Sequence, residues 1–133
     1  MRQINERKNK MKIEQDVVSI NGVEYVKKGS SNQMAPIVDG MDYCIVRTYS
    51  AGVFAGYLKS RNGQEGVIIN SRGLWYWDGA CGLSQLAVDG TSAPQNCKFT
   101  VVTPERELTQ IIEIIKCTDK AKKSIEGVAI WKK

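Results

Sequence analysis

Two tryptophans and two arginines are the residues of this sequence best suited to binding chemistry. Trp75 and Trp77 flank Tyr76, Arg72 precedes them, and Arg47 lies on an earlier β-branched segment. A guanidinium pairs with phosphate or carboxylate, and an indole face stacks on a planar ring or a cation. We therefore expect these two arginines and two tryptophans to form a contact patch for a planar anionic ligand or for a protein. Core packing of at least one tryptophan is the alternative.

The chain contains no histidine, and this bears directly on catalysis. Histidine is the commonest general acid or base and the usual activator of serine and cysteine nucleophiles. The acidic residues stand mostly singly, and no phosphate-binding or dinucleotide-binding glycine pattern occurs. The sequence therefore predicts a protein that is not an enzyme, with no catalytic residues and no cofactor.

The four cysteines are widely spaced and include no Cys-x-x-Cys pair: Cys44, Cys81, Cys97 and Cys117. Structural zinc sites usually draw their ligands in close pairs, so we predict no metal site. A four-thiolate site assembled from distant strands is the alternative. The favoured interpretation is four small buried side chains that are kept reduced in a cytoplasm.

Composition limits the class of protein and the kind of partner. With 133 residues, 42% of them apolar, the chain fits one domain of ordinary size. No apolar run approaches the roughly 20 residues needed to span a bilayer, and no apolar region follows the basic N-terminus as in a secretory signal. We therefore predict no membrane association. The net charge of +5 suits an acidic partner such as nucleic acid, a nucleotide or an acidic protein face.

Turn residues and β-branched runs predict an α+β fold that is mostly β. We expect a basic N-terminal tail over residues 1–15 and a single domain over 16–133. Asn21-Gly22 between two β-branched runs predicts a hairpin, because both turn residues must take positive φ. The later strands then form an antiparallel meander curled into a small barrel or sandwich. The expected strands lie at 43–49, 53–59, 67–69 and 74–77.

The second half of the chain predicts one or two short helices among further strands. Apolar residues at helical spacing indicate a helix over about 80–89, and Thr118-Asp119 caps a second one through Ile125. Gly56, inside a strand, predicts a bulge or a closely approaching backbone. The remaining expected strands are 97–102, stopped by Pro104; 108–115, with a helix as the alternative; and an edge strand at 128–131.

Several segments together resemble one known family. They include Ala51 to Leu58, the block Leu74-Trp75-Tyr76-Trp77 with Gly79-Ala80, and the end from Glu113 to Trp131. Over about residues 42–132 the chain resembles an uncharacterised domain family of small proteins from tailed bacteriophages and their prophages. Gly73 stands where that family leads us to expect a second arginine. The resemblance implies a phage origin and a non-essential accessory role, and it supplies no activity and no functional residues.

Binding functions therefore rank first. We expect a non-catalytic phage accessory protein that acts in the host cytoplasm on a host factor, either a defence protein or its nucleotide signal. One alternative is a minor virion or capsid decoration protein, which predicts homo-oligomers. The other is a single-stranded nucleic-acid-binding protein. A pocket with two or more converging basic groups would indicate a nucleotide, whereas a flatter exposed aromatic patch would indicate a protein.

Overall fold

The computed structural model describes residues 17–20, 23–26 and 33–132, and the chain divides into two units, 1–33 and 34–133. In the first unit, β1 (Val17–Ile20) pairs antiparallel with β2 (Val23–Val26). Val17 stands opposite Val26, and Ile20 opposite Val23. The hairpin predicted around Asn21-Gly22 is therefore confirmed. The predicted tail over 1–15 lies outside the described residues.

The second unit is built on one antiparallel sheet of six strands. Its order is β6–β5–β4–β3–β8, and β7 pairs with β5. Two helices complete this unit, α1 (Leu83–Asp89) and α2 (Asp119–Gly127). The prediction of a mostly β protein with one or two short helices is confirmed. The strands are β3 (Asp42–Thr48), β4 (Val53–Asn62), β5 (Glu65–Tyr76), β6 (Lys98–Phe99), β7 (Thr103–Leu108) and β8 (Ile111–Lys116).

The sheet curls, because its two edges are joined by a very short connection. The strands β7 and β8 lie at opposite edges, four strand spacings or roughly 19 Å apart if the sheet were flat. Only residues 109–110 connect them, a reach of roughly 10 Å. The backbone N–H of Ile111 also donates to the carbonyl of Gln64 at 2.9 Å. Within the described chain β7 and β8 share no ladder, so the curled sheet does not close into a barrel.

The strand β3, which lies between β4 and β8, is buried on both faces. Tyr43 and Ile45 join the core cluster that includes residues of α1 and α2, such as Leu86 and Ile125. The alternate residues Cys44 and Val46 join a second cluster with Phe54, Ile68 and Leu108. Period-two alternation thus divides the apolar side chains of one strand between two cores.

The strand β5 is one continuous strand of 12 residues, where the sequence predicts two. Of the turn-like residues between them, 71–73 pair instead with neighbouring strands, whereas Asn70 is skipped by both ladders and takes the left-handed conformation at φ 50°. The ladder shifts register between Ala55 and Tyr57, across from this irregularity. A Cβ on Gly56 would lie 2.8 Å from Cα of Ser71. The predicted close approach at Gly56 is therefore confirmed.

Both helices agree with prediction, and some strands do not. Thr118 caps α2 by accepting a hydrogen bond from the Ala121 N–H at 3.0 Å. Pro104 does not stop a strand but lies inside β7, where the ladder skips the position opposite Asn70. The expected strand at 97–102 contracts to β6, and 108–115 is divided between β7 and β8. The expected edge strand at 128–131 is a single bridge between Phe99 and Ile130.

Candidate functional site

Arg72, a predicted contact residue, is only 3% exposed and serves the fold. Burial lowers the pKa of its guanidinium, against the raising effects of Tyr43 and Glu126. Its five N–H groups are all directed at main-chain carbonyls, so none remains for a ligand. The acceptors are Thr100 at 2.8 Å, Ile125 and Val128 at 2.8 Å, Phe99 at 3.2 Å and Ala129 at 3.4 Å.

Arg47 lies on the exposed surface of β3 and has an acidic partner. Its Nε donates to Oε1 of Glu113, on the neighbouring strand β8, at 3.0 Å. Arg47 is not among the described residues that line the cleft shared by Trp75 and Trp77. The structure therefore does not bring the four predicted contact residues together around one ligand.

Trp75 is 66% exposed and belongs to a compact surface cluster. Its ring stacks on that of Trp131, with centroids 5.1 Å apart and planes 24° from parallel. The ammonium of Lys98 lies 5.3 Å from the Trp75 centroid and 5.5 Å from the Trp131 centroid. We call Trp75, Trp131 and Lys98 the Trp75 patch. It presents the exposed Trp75 ring, part of the half-buried Trp131 ring and one positive charge to solvent.

Trp77 is half-buried and packs against the core cluster beneath the helices. It also lines, together with Trp75, an open cleft of about 510 Å³ that we call the Trp cleft. One tryptophan therefore contributes to the core, as the alternative interpretation allowed, and the same indole still contacts a cavity. The other walls are residues 50–53, Phe54, Gly73, Leu74, Thr100 and Arg106.

Arg106, on β7, is the basic residue of this cleft, and the sequence interpretation missed it. Its Nε donates to Oγ of Ser71 at 3.1 Å, and its Nη2 donates to Oγ1 of Thr103 at 2.9 Å. The guanidinium carbon lies 4.4 Å from the centroid of the Phe54 ring. Burial lowers the pKa of Arg106. Its spacing of two from the buried Leu108 would have placed it on the inner face, had β7 been recognised past Pro104.

The cysteines divide into three buried thiols and one exposed thiol. Cys44, Cys97 and Cys117 are buried, whereas Cys81 is exposed, so the prediction of four buried side chains is wrong at that position. Burial raises the pKa of Cys44 to about 11 and that of Cys117 to about 12. In the described part of the chain, no three or more Cys, Asp or Glu side chains are grouped in a way that could hold a metal ion.

Over the residues that the structure describes, neither helix is long and apolar enough to cross a bilayer.

Comparison with known proteins identifies a family. No curated protein and no solved structure gives a significant match. The family model described as Domain of unknown function (DUF6948) matches residues 41–125, from the start of β3 into α2. The matched region includes Trp75, Trp77 and Arg106 and ends before Trp131. Since it covers more than half of the chain, the protein belongs to the DUF6948 family.

Proposed function

We propose that this chain is a non-catalytic binding protein that docks on an acidic face of a host protein through the Trp75 patch. The observation that carries the proposal is the stack of the exposed Trp75 ring on the half-buried Trp131 ring, with the Lys98 ammonium close to both. Tryptophan is enriched among residues that dominate binding energy at protein interfaces. Neither Trp75 nor Trp131 belongs to a core cluster of the described residues.

A protein partner fits the distribution of basic groups better than a nucleotide does. The donors of Arg72 are all taken by carbonyls, and Arg47 is paired with Glu113. Arg106 is the one basic side chain among the residues lining the Trp cleft. A nucleotide carrying several phosphates needs two or more converging cations, whereas a protein hot spot needs exposed, well-oriented aromatic rings.

The side chains of the Trp75 patch are held in place before a partner binds, so that they lose little conformational entropy on binding. Each indole ring restricts the motion of the other. The backbone N–H of Trp131 also donates to the carbonyl of Phe99 at 2.8 Å, which fixes the main chain that carries the second ring. Preorganised side chains lose less conformational entropy on association. The Lys98 charge and the net charge of +5 favour encounter with an acidic surface.

The cellular setting is part of the same proposal. The likeness to small proteins of tailed bacteriophages supports a phage origin and action in the cytoplasm of the infected cell. In that setting the proposed action is to occupy a surface of a host factor, with a defence protein as the leading class. The alternatives are a virion component and a single-stranded nucleic-acid-binding protein.

Affinity capture from infected cells with three forms of the protein tests this proposal. Wild type and Tyr49→Ala should retain the same host protein, because Tyr49 is an equally exposed aromatic residue, at 78%, outside the Trp75 patch. Trp75→Ala should lose that protein, with a weakening of at least about 30-fold, or 2 kcal/mol. Equal retention by all three forms would contradict the proposed surface.

Two other outcomes would favour the alternatives. Capture that disappears on nuclease treatment and falls steeply with salt would favour single-stranded nucleic acid. Stoichiometric recovery of the protein in purified phage particles would favour a virion component.

A further inference from the structure

We infer that the Trp cleft is a second binding site, which takes a small planar aromatic anion with a single carboxylate or phosphate group held by Arg106. The site is distinct from the Trp75 patch, because its anion-binding residue and its half-buried wall, Trp77, do not belong to that patch. The two sites share only Trp75.

Arg106 is fixed in place before any ligand arrives. Two of its nitrogens donate to the hydroxyls of Ser71 and Thr103, and its flat face lies against the Phe54 ring. Ser71 is itself fully buried. No described residue accepts a hydrogen bond from Nη1 of Arg106. Free N–H groups on an immobilised guanidinium are the arrangement that binds a carboxylate or phosphate in a defined direction.

The charge of Arg106 is not neutralised within the described part of the chain. No described carboxylate lies within ion-pair distance of it, in contrast to Arg47 with Glu113 or Lys123 with Asp119. Burial lowers the pKa of Arg106 with no opposing effect from a nearby acid. A partly desolvated cation without a counter-ion is unfavourable, so an incoming anion gains more there than at an exposed arginine.

The rest of the cleft is shaped for a flat apolar body. Phe54, Trp75 and Trp77 supply aromatic walls around a volume of about 510 Å³, which lies within the range typical of small-molecule sites. Gly73 and Thr100 pack closely together in one wall of the cleft, since a Cβ on Gly73 would lie 3.1 Å from Oγ1 of Thr100. With one guanidinium in the cleft, the preferred ligand carries one anionic group rather than a chain of phosphates.

A matched pair of probes tests the site. We would titrate the protein with 2-naphthoate and with its neutral amide, following tryptophan fluorescence and the indole N–H resonance of Trp77. The two probes have the same shape and differ in charge. The carboxylate should bind at least about tenfold more tightly than the amide. Titration with adenosine monophosphate against adenosine then distinguishes a phosphate ligand from a carboxylate ligand.

A second pair of variants keeps the test independent of folding around Arg106. Ala51 is exposed on the rim of the cleft, so Ala51→Glu introduces a competing carboxylate while Ala51→Gln introduces the same bulk without charge. Ala51→Glu should weaken 2-naphthoate binding by at least about fivefold relative to Ala51→Gln. Arg106→Gln should abolish the preference for the charged probe, and Arg47→Gln should leave it unchanged.

The inference fails if the naphthoate and the amide bind equally, or if Ala51→Glu and Ala51→Gln bind the anion alike. Lys98→Gln, which removes the positive charge of the Trp75 patch and does not alter a residue lining the Trp cleft, should leave anion binding by the Trp cleft in place. A failure of the protein-binding proposal is therefore distinguishable from a failure of this one.

Discussion

The indole rings of Trp75 and Trp131 stack with centroids 5.1 Å apart, although one lies on β5 and the other follows α2. Two contacts of the C-terminal segment bring the rings together. The backbone N–H of Trp131 donates to the carbonyl of Phe99, and the guanidinium of Arg72 donates to the carbonyls of Ile125 and Val128. The proposed contact surface therefore depends on a buried arginine that does not itself contact the partner.

Removing one ring of this stack should affect binding much more than stability. Trp131→Ala removes an aromatic pair and the buried part of a half-buried indole, so we expect a loss of about 1 to 2 kcal/mol in the free energy of unfolding. The circular-dichroism couplet that stacked indoles produce should disappear. Urea unfolding measures the first quantity and circular dichroism the second. A loss above about 3 kcal/mol would mean that Trp131 acts as a core residue.

Replacing the buried Arg72 should, in contrast, reduce stability more than it affects the binding contacts themselves. Arg72→Lys keeps the charge and offers at most three of the five donors, which leaves buried carbonyls unpaired. We expect a loss of about 3 kcal/mol or more in the free energy of unfolding. The control is Arg47→Lys, whose exposed pair with Glu113 should account for less than about 1 kcal/mol. Equal effects of the two substitutions in urea unfolding would contradict the structural role of Arg72.

The close approach of β4 and β5 makes one glycine indispensable. In Gly56→Ala the new Cβ would lie 2.8 Å from Cα of Ser71 and 2.9 Å from the Ile69 carbonyl oxygen, so backbone must move. We expect a loss of about 2 kcal/mol or more by urea unfolding. Gly82→Ala is the matched control, because no atom lies within 4 Å of its added Cβ and its φ of 169° is ordinary extended backbone. That variant should retain wild-type stability.

The buried thiols predict a loss of stability at alkaline pH. Burial raises the pKa of Cys44 to about 11 and of Cys117 to about 12, from an ordinary value of 9.0. Below pH 9 both states hold these protons, so the thiols impose no slope. Above pH 9 the thiols of the unfolded chain lose their protons while those of the folded protein keep theirs. The free energy of unfolding therefore decreases with rising pH, until about pH 11 for Cys44 and about pH 12 for Cys117.

The slope should reach about 1.4 kcal/mol per pH unit for each thiol. Urea unfolding between pH 8 and pH 11 measures it, and Cys44→Ala should reduce it. Cys81→Ala should leave it unchanged, because Cys81 is exposed. A slope that does not respond to Cys44→Ala would contradict this assignment.

Local sequence patterns predicted much of this fold because their physical causes are local. Asn21-Gly22 specifies a hairpin, Thr118 provides a helix cap, and Gly56 indicates a close approach. The continuity of β5 was not predictable in this way. Residues 70–73 interrupt the β-branched pattern, but 71–73 are held in the strand by pairing with β4 and β7, whose residues lie elsewhere in the sequence.

The candidate site was predictable only in part, for a similar reason. An exposed tryptophan at position 75 was among the expectations, but its stacking partner lies far along the chain. Arg72 and Arg106 carry the same charge in the sequence, and tertiary packing alone determines that the first binds carbonyls and the second lines the cleft. Pro104 concealed β7, and with it the position of Arg106.

Photo-crosslinking in phage-infected cells tests the central claim most directly. A photoreactive phenylalanine derivative would replace Trp131 in one form and Tyr49 in the other, since Trp131 belongs to the Trp75 patch and Tyr49 is an exposed aromatic residue outside it. We predict that position 131 yields one discrete host-protein adduct and that position 49 yields none. Identical adducts from both positions, or adducts with nucleic acid alone, would contradict the Trp75 patch as a protein-binding surface.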